Sequence, residues 1–530
     1  MTVDTLPLSS FPLLSKVDQD LNREDSPLDQ FLKWKPQLDV FGEIIQNRDR
    51  EVNREKLHQV LSEQYQNLGI EIKIRDRIDA LLDARTFTVC TAHQPCLFTG
   101  PAFVLSKAIS TIKLAQLIQE ALPAYRIQPV FVIGAEDHDL EELNHCFLFG
   151  KKITWETRQS GPLGRFDLER IEACISEAES LLVHTPFGPE LIRLLREAHA
   201  GGRSFAEAFQ YMMHVLLGEH GLLVINMDDR RLKEEFKPWI LDEVLHSSSK
   251  PLVTGTQARL MQLGYEASTH VRDINFFYFD KGYRDRIERE NGSFHISNQG
   301  LKLDEKSMAA EIEQHPEKFS PNVILRPIYQ ELILPNLAFV GGGGELAYWM
   351  ERKSQFEALG VPYPALVRRD SFLVIQPEQK NLLDQFGLKV ADLAERTDLL
   401  MNRMTEKLSS HELSLQEEIL GITAWMDKIR SRAESVDPTL GPSIEAEKVK
   451  MAKSIEHLEK KILKAEKSKL EVKLNKIRKL KEKLLPENGL QERRENFMTF
   501  YSEHGPAFIR TLVHDFNPLD RQFKLIQIEA

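Results

Sequence analysis

The sequence predicts an α/β protein whose core contains a parallel β-sheet and whose later part is a helical coiled-coil arm. Short apolar runs ending in polar or glycine-rich residues alternate with segments of helical periodicity, which is the pattern of βαβ units. Residues 444–485 contain neither glycine nor proline and repeat apolar residues every three or four positions, as coiled coils do. At 530 residues the chain exceeds one compact core, so two or three domains are expected.

Composition excludes several classes of protein. With 42% hydrophobic and 28% charged residues the chain is globular, and its net charge of −11 favours neither a nucleic-acid nor an anionic-membrane partner. Four cysteines without a CxxC pair indicate neither a disulfide framework nor a zinc site. The sequence contains no long apolar run, and its first residues do not resemble a secretion signal, so we expect a cytoplasmic protein.

Residues 1–80 are predicted to form helical segments that pack on a core spanning 81–375. The first strand of that core is "TFTVCTAH" (86–93), followed by a turn and a helix over 102–122. The run "PVFVIGA" (129–135) then supplies a second, parallel strand. Further strands are predicted at 221–229, 337–341 and 363–375, and residues 240–335 are interpreted as an inserted α+β segment.

The helical arm is predicted to span 376–490, and residues 491–530 are predicted to return to the core. Its apolar positions are 451, 455, 458, 462, 470, 474, 477 and 484. The interruption between 462 and 470 predicts a local change of winding. Residues 413–436 are predicted to form an antiparallel partner helix across "DPTLGPS" (437–443). The arm is rich in lysine, and a solvated face explains this better than an anionic partner.

Polar clusters follow three of the predicted strands, where ligands bind in open α/β sheets. In "TAHQPCLFTGP" (91–101), His93, Gln94 and Gly100 precede a helix and suit a phosphate or nucleotide. The alternative is a tight turn that His93 merely caps. Cys96 is interpreted as a packing residue rather than a nucleophile.

The second cluster is "GAEDHDLEELNHC" (134–146). It contains Glu136, Asp137, His138, Asp139, Asn144 and His145. Crowded carboxylates shift one another's pKa and can hold a base near neutrality, so this cluster is a candidate for proton transfer. A solvated loop is the alternative, and the spacing of the acids and histidines matches no standard metal site.

The third cluster is "GGGGE", with Gly341, Gly342, Gly344 and Glu345, where a glycine backbone can approach phosphate before a helix. Upstream, Arg326 is a candidate for a bidentate pair with a substrate carboxylate, or else a structural arginine. The sequence has no GxxxxGK[ST], GxSxG or HExxH motif.

Four stretches together closely resemble the bacillithiol-biosynthesis cysteine-adding enzyme family, BshC. They are "TAHQPCLFTGP", "GAEDHDLEELNH", "SPNVILRPIYQELILPNLAFVGGGGELAYW" and "LQERRENFMTFY", and they occur in the family's order from about residue 80 onward. The resemblance implies a Rossmann-like core with connecting-peptide insertions and a coiled-coil arm that pairs two subunits. Cys96 and Gly343 stand where the family commonly has glycine and proline, and Gly343 is expected to loosen its turn.

The resemblance also implies a function, the final step of bacillithiol synthesis, in which L-cysteine is joined to glucosaminyl-malate by an amide bond. In architecture the family resembles class I aminoacyl-tRNA synthetases, whose ATP motif would correspond to "TAHQP". On this hypothesis ATP, arriving with Mg²⁺, activates cysteine, most simply as an adenylate. His93, Gln94 and the glycine turn would hold phosphates, and Arg326 would bind the malate carboxylates. Asp137 or His138 would take the amine proton, with Asp139 orienting it.

Two other classes of function remain compatible with the sequence. One is a non-catalytic protein that binds a nucleotide or a sugar thiol. The other is a dimeric scaffold whose arm recruits a partner enzyme for cysteine activation. The polar clusters at several strand ends favour the enzyme.

Overall fold

The computed structural model describes residues 1–70, 74–280 and 282–529. The strands are β1 (Thr2–Pro7), β2 (Thr86–His93), β3 (Arg126–Ile133), β4 (His145–Leu148), β5 (Lys151–Thr154), β6 (Leu223–Asn226), β7 (Phe276–Asp280), β8 (Tyr283–Arg286), β9 (Glu288–Glu290), β10 (Ser293–Ile296), β11 (Leu301–Asp304), β12 (Phe319–Pro321), β13 (Asn336–Gly341), β14 (Ala365–Arg368), β15 (Ser371–Ile375) and β16 (Gln522–Gln527).

The α-helices are α1 (Lys16–Leu21), α2 (Val40–Gln46), α3 (Arg54–Asn67), α4 (Arg75–Asp79), α5 (Ala102–Ala121), α6 (Leu140–Leu143), α7 (Ile171–Leu182), α8 (Gly188–Ala198), α9 (Phe205–Leu217), α10 (Arg230–His246), α11 (Ser249–Gln262), α12 (Glu305–Gln314), α13 (Arg326–Ile333), α14 (Gly343–Met350), α15 (Lys353–Leu359), α16 (Pro377–Phe386), α17 (Thr397–Leu408), α18 (Gln416–Val436), α19 (Gly441–Lys469), α20 (Glu471–Leu484), α21 (Met498–His504) and α22 (Pro506–Asp515).

A five-stranded parallel sheet forms the centre of the core, with the order β14-β13-β2-β3-β6. Its inner strands are apolar and buried, as expected of a sheet covered on both faces. Helix α5 connects β2 to β3, beginning directly after Pro101 and ending just before Pro123, because proline suits a helix start and disfavours continuation. The α/β class with a parallel sheet, predicted from the sequence, is confirmed.

This strand order places the polar clusters next to one another. Strand β2 lies between β3 and β13, so the carboxyl ends of these three strands are neighbours at one edge of the sheet. The order in which the strands are added reverses at β2. Strands β3 and β6 lie on one side of β2, whereas β13 and β14 lie on the other. Ligand sites of open α/β sheets form at such a switch.

Two regions differ in detail from the sequence-based prediction. Residues 363–375 form two strands rather than one, because β14 belongs to the parallel sheet whereas β15 joins β1 and β16. The chain turns between them at Arg369 and Asp370, which are buried and hydrogen-bonded. The helical start predicted for residues 1–80 begins instead with β1, which pairs antiparallel with β16. Part of that prediction, residues 71–73, lies outside the described residues.

The chain divides into two units, one containing residues 1–374 and 492–527 and the other residues 375–491 and 528–530. In the second unit α18 and α19 form the predicted antiparallel hairpin, shown by the ion pairs Arg430–Glu445 and Lys448–Asp427. Helix α19 ends at Lys469 and α20 begins at Glu471, so the helix breaks inside the interruption predicted from the apolar repeat. Within the described ranges, no helix has both the length and the apolar character required to cross a bilayer.

Candidate active site at the carboxyl ends of the parallel strands

A cavity of about 380 Å³ lies at the carboxyl ends of β2, β3 and β13. It is lined by eight residues that the sequence singled out: His93, Gln94, Glu136, Asp137, Arg326, Gly342, Gly344 and Glu345. Its volume is in the range typical of metabolite sites. The structure therefore brings members of all three predicted clusters, and Arg326, into one place.

His93 ends β2 with its imidazole half-buried at the cavity wall. Its Nδ1 lies 3.0 Å from the carbonyl oxygen of Gln94, which can only accept, so Nδ1 carries the proton and Nε2 keeps a lone pair. Burial and the nearby Lys107 ammonium lower the pKa of His93 to about 4. At neutral pH His93 is therefore an uncharged hydrogen-bond acceptor. Burial raises the pKa of the neighbouring Cys96 to about 12, which agrees with its interpretation as a packing residue.

Asp137 is an ionised acceptor that lines the cavity. Its carboxylate accepts from the side chain of Gln94 at 3.0 Å and from the backbone N–H of His138 at 2.8 Å. Burial alone would raise the pKa of Asp137, but hydrogen bonds from His138 and Gln94 and the Arg284 guanidinium hold it well below its usual range. Asp137 is thus suited to orienting an amine rather than to being a strong base.

Glu136 lies beside Asp137 and is held by a fully buried lysine. The Lys233 ammonium donates to Glu136 Oε1 and to the carbonyl oxygen of Phe319. Burial raises the pKa of Glu136, and Lys233 opposes that shift. Gly134, which opens this loop, leaves room for Arg326, since a Cβ atom there would lie 3.0 Å from Arg326 Nη1.

His138 is adjacent to Asp137 in sequence but lines a neighbouring cavity. Arg284 donates to His138 Nδ1 at 2.8 Å, so the ring proton is on Nε2. In this arrangement neither ring nitrogen is free to accept an amine proton. The predicted role of His138 as a base would require the contact with Arg284 to break.

The glycine turn between β13 and α14 is held by hydrogen bonds and close packing. Glu345 Oε2 accepts from the Gly342 N–H at 3.0 Å, and Glu345 Oε1 accepts from Lys107 at 2.8 Å. A Cβ atom on Gly343 would lie 2.3 Å from Asp18 Cγ, so the buried Asp18 requires glycine at this position. The loosening that we expected from Gly343 is therefore offset by packing against the N-terminal segment.

Arginines also line the cavity. Arg369 forms a bidentate pair with the buried Glu492, at 2.8 and 3.0 Å. Arg326 donates to the Tyr348 hydroxyl at 3.2 Å, and Arg493 is exposed at the cavity wall. Neither Arg326 nor Arg493 forms an ion pair with a carboxylate of the described residues. The cavity therefore has two guanidinium charges available to an anion.

Other predicted site residues lie outside this cavity. Asp139 is exposed, and His145 lies in β4, where it pairs with Thr154. Asn144 exchanges hydrogen bonds with the backbone of Trp155. The Gly100 carbonyl accepts from Asn496 at 2.6 Å, and that of Gly341 from the Arg369 N–H at 2.9 Å. The functional roles suggested for these residues stay predictions.

Sequence reasoning missed the cations behind and around the cavity. They are Lys107, Lys233, Arg284, Arg369 and Arg493. A signal was present for Lys107, because it is a charged residue among the uncharged residues of the buried side of helix α5. Arg493 belongs to the quoted stretch "LQERRENFMTFY", but nothing in the local pattern of that stretch indicates which side chain reaches the cavity.

Comparison with known proteins decides the family. Residues 1–370 match the model of the N-terminal Rossmann-like domain of bacillithiol biosynthesis BshC, and residues 372–528 match that of its C-terminal coiled-coil domain. This chain belongs to the BshC family. It is 34% identical over 534 residues to the protein of Flavobacterium johnsoniae named "Putative cysteine ligase BshC", with 100% of each chain covered. A protein of that name from Christiangramia forsetii is also 34% identical, with 96% of each covered.

A more distant relative of the same name, from Bacillus licheniformis, is 28% identical over 475 residues, with 85% of this chain and 87% of that one covered. Membership of the BshC family confirms the resemblance drawn from the four sequence stretches. The Rossmann-like and coiled-coil descriptions of the two matched domains agree with the parallel sheet and the helical hairpin.

Proposed function

We propose that this BshC-family chain is a cysteine ligase that completes bacillithiol synthesis by joining L-cysteine to glucosaminyl-malate through an amide bond. The names of its relatives support the reaction class. The cavity at the carboxyl ends of β2, β3 and β13 supports the proposed location of the reaction. Its charge distribution is the observation that carries the proposal.

Each carboxylate that lines the cavity has a cationic partner of its own. The pairs are Glu136 with Lys233, Asp137 with Arg284, and Glu345 with Lys107. Arg369 is matched in turn by Glu492. The cavity therefore holds a surplus of two positive charges, from Arg326 and Arg493. The malate part of the proposed acceptor has two carboxylates, which guanidinium groups recognise well.

In this proposal Asp137 and Glu136 receive the amine of the acceptor. Asp137 is ionised and fixed by Gln94, so it can orient an ammonium group and stabilise the proton that leaves during attack. Glu136 has one carboxylate oxygen bound to Lys233 and adds a second acceptor nearby. Binding of malate by the two arginines and of the amine by these two acids fixes the orientation of the acceptor in the cavity.

A free carboxylate needs activation before it forms an amide, and ATP with Mg²⁺ supplies that activation in the proposed reaction. His93 offers an unprotonated Nε2, and the turn at Gly342 and Gly344 places a helix N-terminus at the cavity. These groups are suited to holding phosphate oxygens and the hydroxyl groups of a nucleotide. The nucleotide product distinguishes adenylate formation, which releases AMP, from phosphorylation, which releases ADP.

The proposal is tested by mass spectrometry of the purified protein incubated with L-cysteine, glucosaminyl-malate, ATP and Mg²⁺. We expect bacillithiol and a matching amount of AMP. Asp137→Asn should lower the rate by about 100-fold, the loss expected for a group that positions a proton transfer. The matched control is Glu141→Gln, which alters an exposed acid of the same loop. Binding of glucosaminyl-malate without product would favour a non-catalytic protein or a scaffold that needs a partner.

The same assay separates the candidate bases. His138→Gln keeps an acceptor for Arg284, and Asp139→Asn alters an exposed residue outside the cavity. Both variants should retain a rate within about threefold of the original protein if Asp137 is the group that acts on the amine. A loss equal to that of Asp137→Asn would instead support the roles predicted for them from the sequence.

A homodimer formed through the coiled-coil arm is part of this proposal. Met451, Leu458 and Ile462 lie at a spacing of seven and four on α19, which places them on one helical face. They are 37%, 51% and 40% exposed in the single chain. The apolar repeat that predicted a coiled coil is thus not satisfied by the hairpin with α18, and a second copy of the arm supplies an apolar partner.

A further inference from the structure

Lys107 is a fully buried charged residue directly behind the cavity. It lies in the middle of α5 with none of its side chain exposed. Its ammonium donates to the carbonyl oxygen of Ala92 at 2.5 Å and to Glu345 Oε1 at 2.8 Å. Replacing a buried ion pair by apolar side chains often leaves a fold equally stable, so stability alone is a weak reason for such a pair.

The two acceptors of Lys107 belong to two different loops of the cavity. Ala92 precedes His93 at the end of β2, and Glu345 holds the glycine turn through the Gly342 N–H. Both oxygens of Glu345 are therefore engaged, which leaves it little capacity to bind a ligand. One ammonium group connects the end of β2 to the turn after β13.

The same charge acts on the His93 ring. Burial and Lys107 lower the pKa of His93, Glu345 opposes them, and the more distant Arg326 guanidinium adds to the lowering. Cys96, whose Sγ lies 3.6 Å from His93 Nδ1, is a neutral thiol because burial raises its pKa to about 12. The cations thus outweigh Glu345, and the ring keeps a single proton, on Nδ1.

We propose that Lys107 is a positioning residue for the reaction: it joins the β2 end to the glycine turn and keeps His93 uncharged, so that Nε2 accepts a hydrogen bond from the bound substrates. The catalytic part of this proposal rests on the proposed ligase function. The part that concerns the protonation of His93 does not. A purely structural ion pair would stabilise the fold without controlling the charge of the His93 ring.

The test measures the tautomer and pKa of His93 by nitrogen-15 NMR of histidine-labelled protein, with its signals assigned by their loss in His93→Gln. In the original protein we expect the Nδ1–H tautomer at pH 7 and protonation only near pH 4. Lys107→Met should raise that pKa most, because it removes the ammonium charge and keeps the Glu345 carboxyl group, which opposes the lowering. Lys107→Met/Glu345→Gln should raise it less, by about half a unit, and Glu345→Gln alone should not raise it.

The matched control is Arg352→Met/Glu351→Gln, which neutralises another buried ion pair, with 0% and 1% of its side chains exposed and no contact with the cavity. It should lower stability similarly and leave His93 unchanged. In the ligation assay Lys107→Met/Glu345→Gln should lower kcat on the order of 10- to 100-fold, with a smaller change in KM. An absence of ligation by the original protein would contradict the function while leaving the NMR result valid.

Three results would overturn the proposal. The first is a protonated Nε2 or a cationic His93 at pH 7 in the original protein, which needs no variant to fold. The second is a pKa of His93 that is the same in Lys107→Met and in the control. The third is a kcat that falls no further in Lys107→Met/Glu345→Gln than in the control.

Discussion

Gly343 shows how one residue outside the cavity can control the shape of its wall. The buried carboxylate of Asp18 occupies the space where a side chain at position 343 would begin, and it forms two 2.9 Å hydrogen bonds with Arg368. Burial opposes ionisation of Asp18, but Arg368 holds its pKa below the usual value. Asp18 therefore remains a charged, well-anchored residue that cannot easily move aside.

We accordingly expect Gly343→Ala to lower the free energy of unfolding by about 1–3 kcal/mol, the usual cost of overpacking a buried site. The control is Gly344→Ala, because a Cβ atom at position 344 would meet no atom within 4 Å. Urea unfolding of both variants followed by circular dichroism measures the difference. Equal stability of the two would show that the contact between Asp18 and Gly343 is absent in solution.

Among the elements, the arm has an apolar repeat that is buried in α20 and exposed in α19. Leu474, Ile477 and Leu484 of α20 are buried within the second unit, whereas Met451, Leu458 and Ile462 of α19 are exposed. Contiguous exposed apolar residues on a helix are a common sign of a protein interface. The break at Leu470 separates the two halves of the repeat.

If two copies associate through α19, Leu458→Glu should disrupt the dimer, because it places a charge in an apolar interface. The mass in solution, measured by light scattering, should fall from twice 61.0 kDa to 61.0 kDa. Met261→Glu alters an apolar residue that is 60% exposed in the first unit and should leave the mass unchanged. A mass of 61.0 kDa for the unaltered protein would rule out this interface.

The sequence was sufficient to predict the parallel strands β2, β3, β6 and β13, because a buried apolar run that ends in polar or glycine residues is a strong local signal. It was also sufficient for the helical hairpin, whose period and proline-containing turn are local. It did not show that residues 363–375 change sheets, since that depends on Asp370 accepting from Ser110 and from the distant Asn517 N–H. Such contacts are set by tertiary packing and leave no periodic pattern.

The site was predictable to a similar degree. The strand-end clusters identified His93, Asp137 and the glycine turn, because the carboxyl ends of neighbouring parallel strands meet. The cations that neutralise these clusters come from α5, α10 and β8, at large separations in sequence. Asp139 was selected by its neighbours in sequence, but the chain direction after β3 carries it to the surface.

For the whole molecule, the decisive property is that the cavity is positively charged although the chain as a whole is negatively charged. The chain has a net charge of −11, yet its cavity has two guanidinium groups without a carboxylate partner among the described residues. An anionic acceptor is therefore attracted to the cavity despite the negative charge of the whole chain. The surplus is intrinsic to the first unit, because Arg326 and Arg493 both belong to it.

The most direct test is calorimetric titration of glucosaminyl-malate, and of a glucosamine glycoside lacking malate, into the unaltered protein and Arg326→Met/Arg493→Met. We expect the unaltered protein to bind the malate conjugate at least about 100-fold more tightly than the glycoside, since two charge-assisted contacts are at stake. In the variant this preference should fall by at least about tenfold. An undiminished preference for the malate conjugate in the variant would contradict the assignment of the two arginines, and with it the proposed orientation of the acceptor.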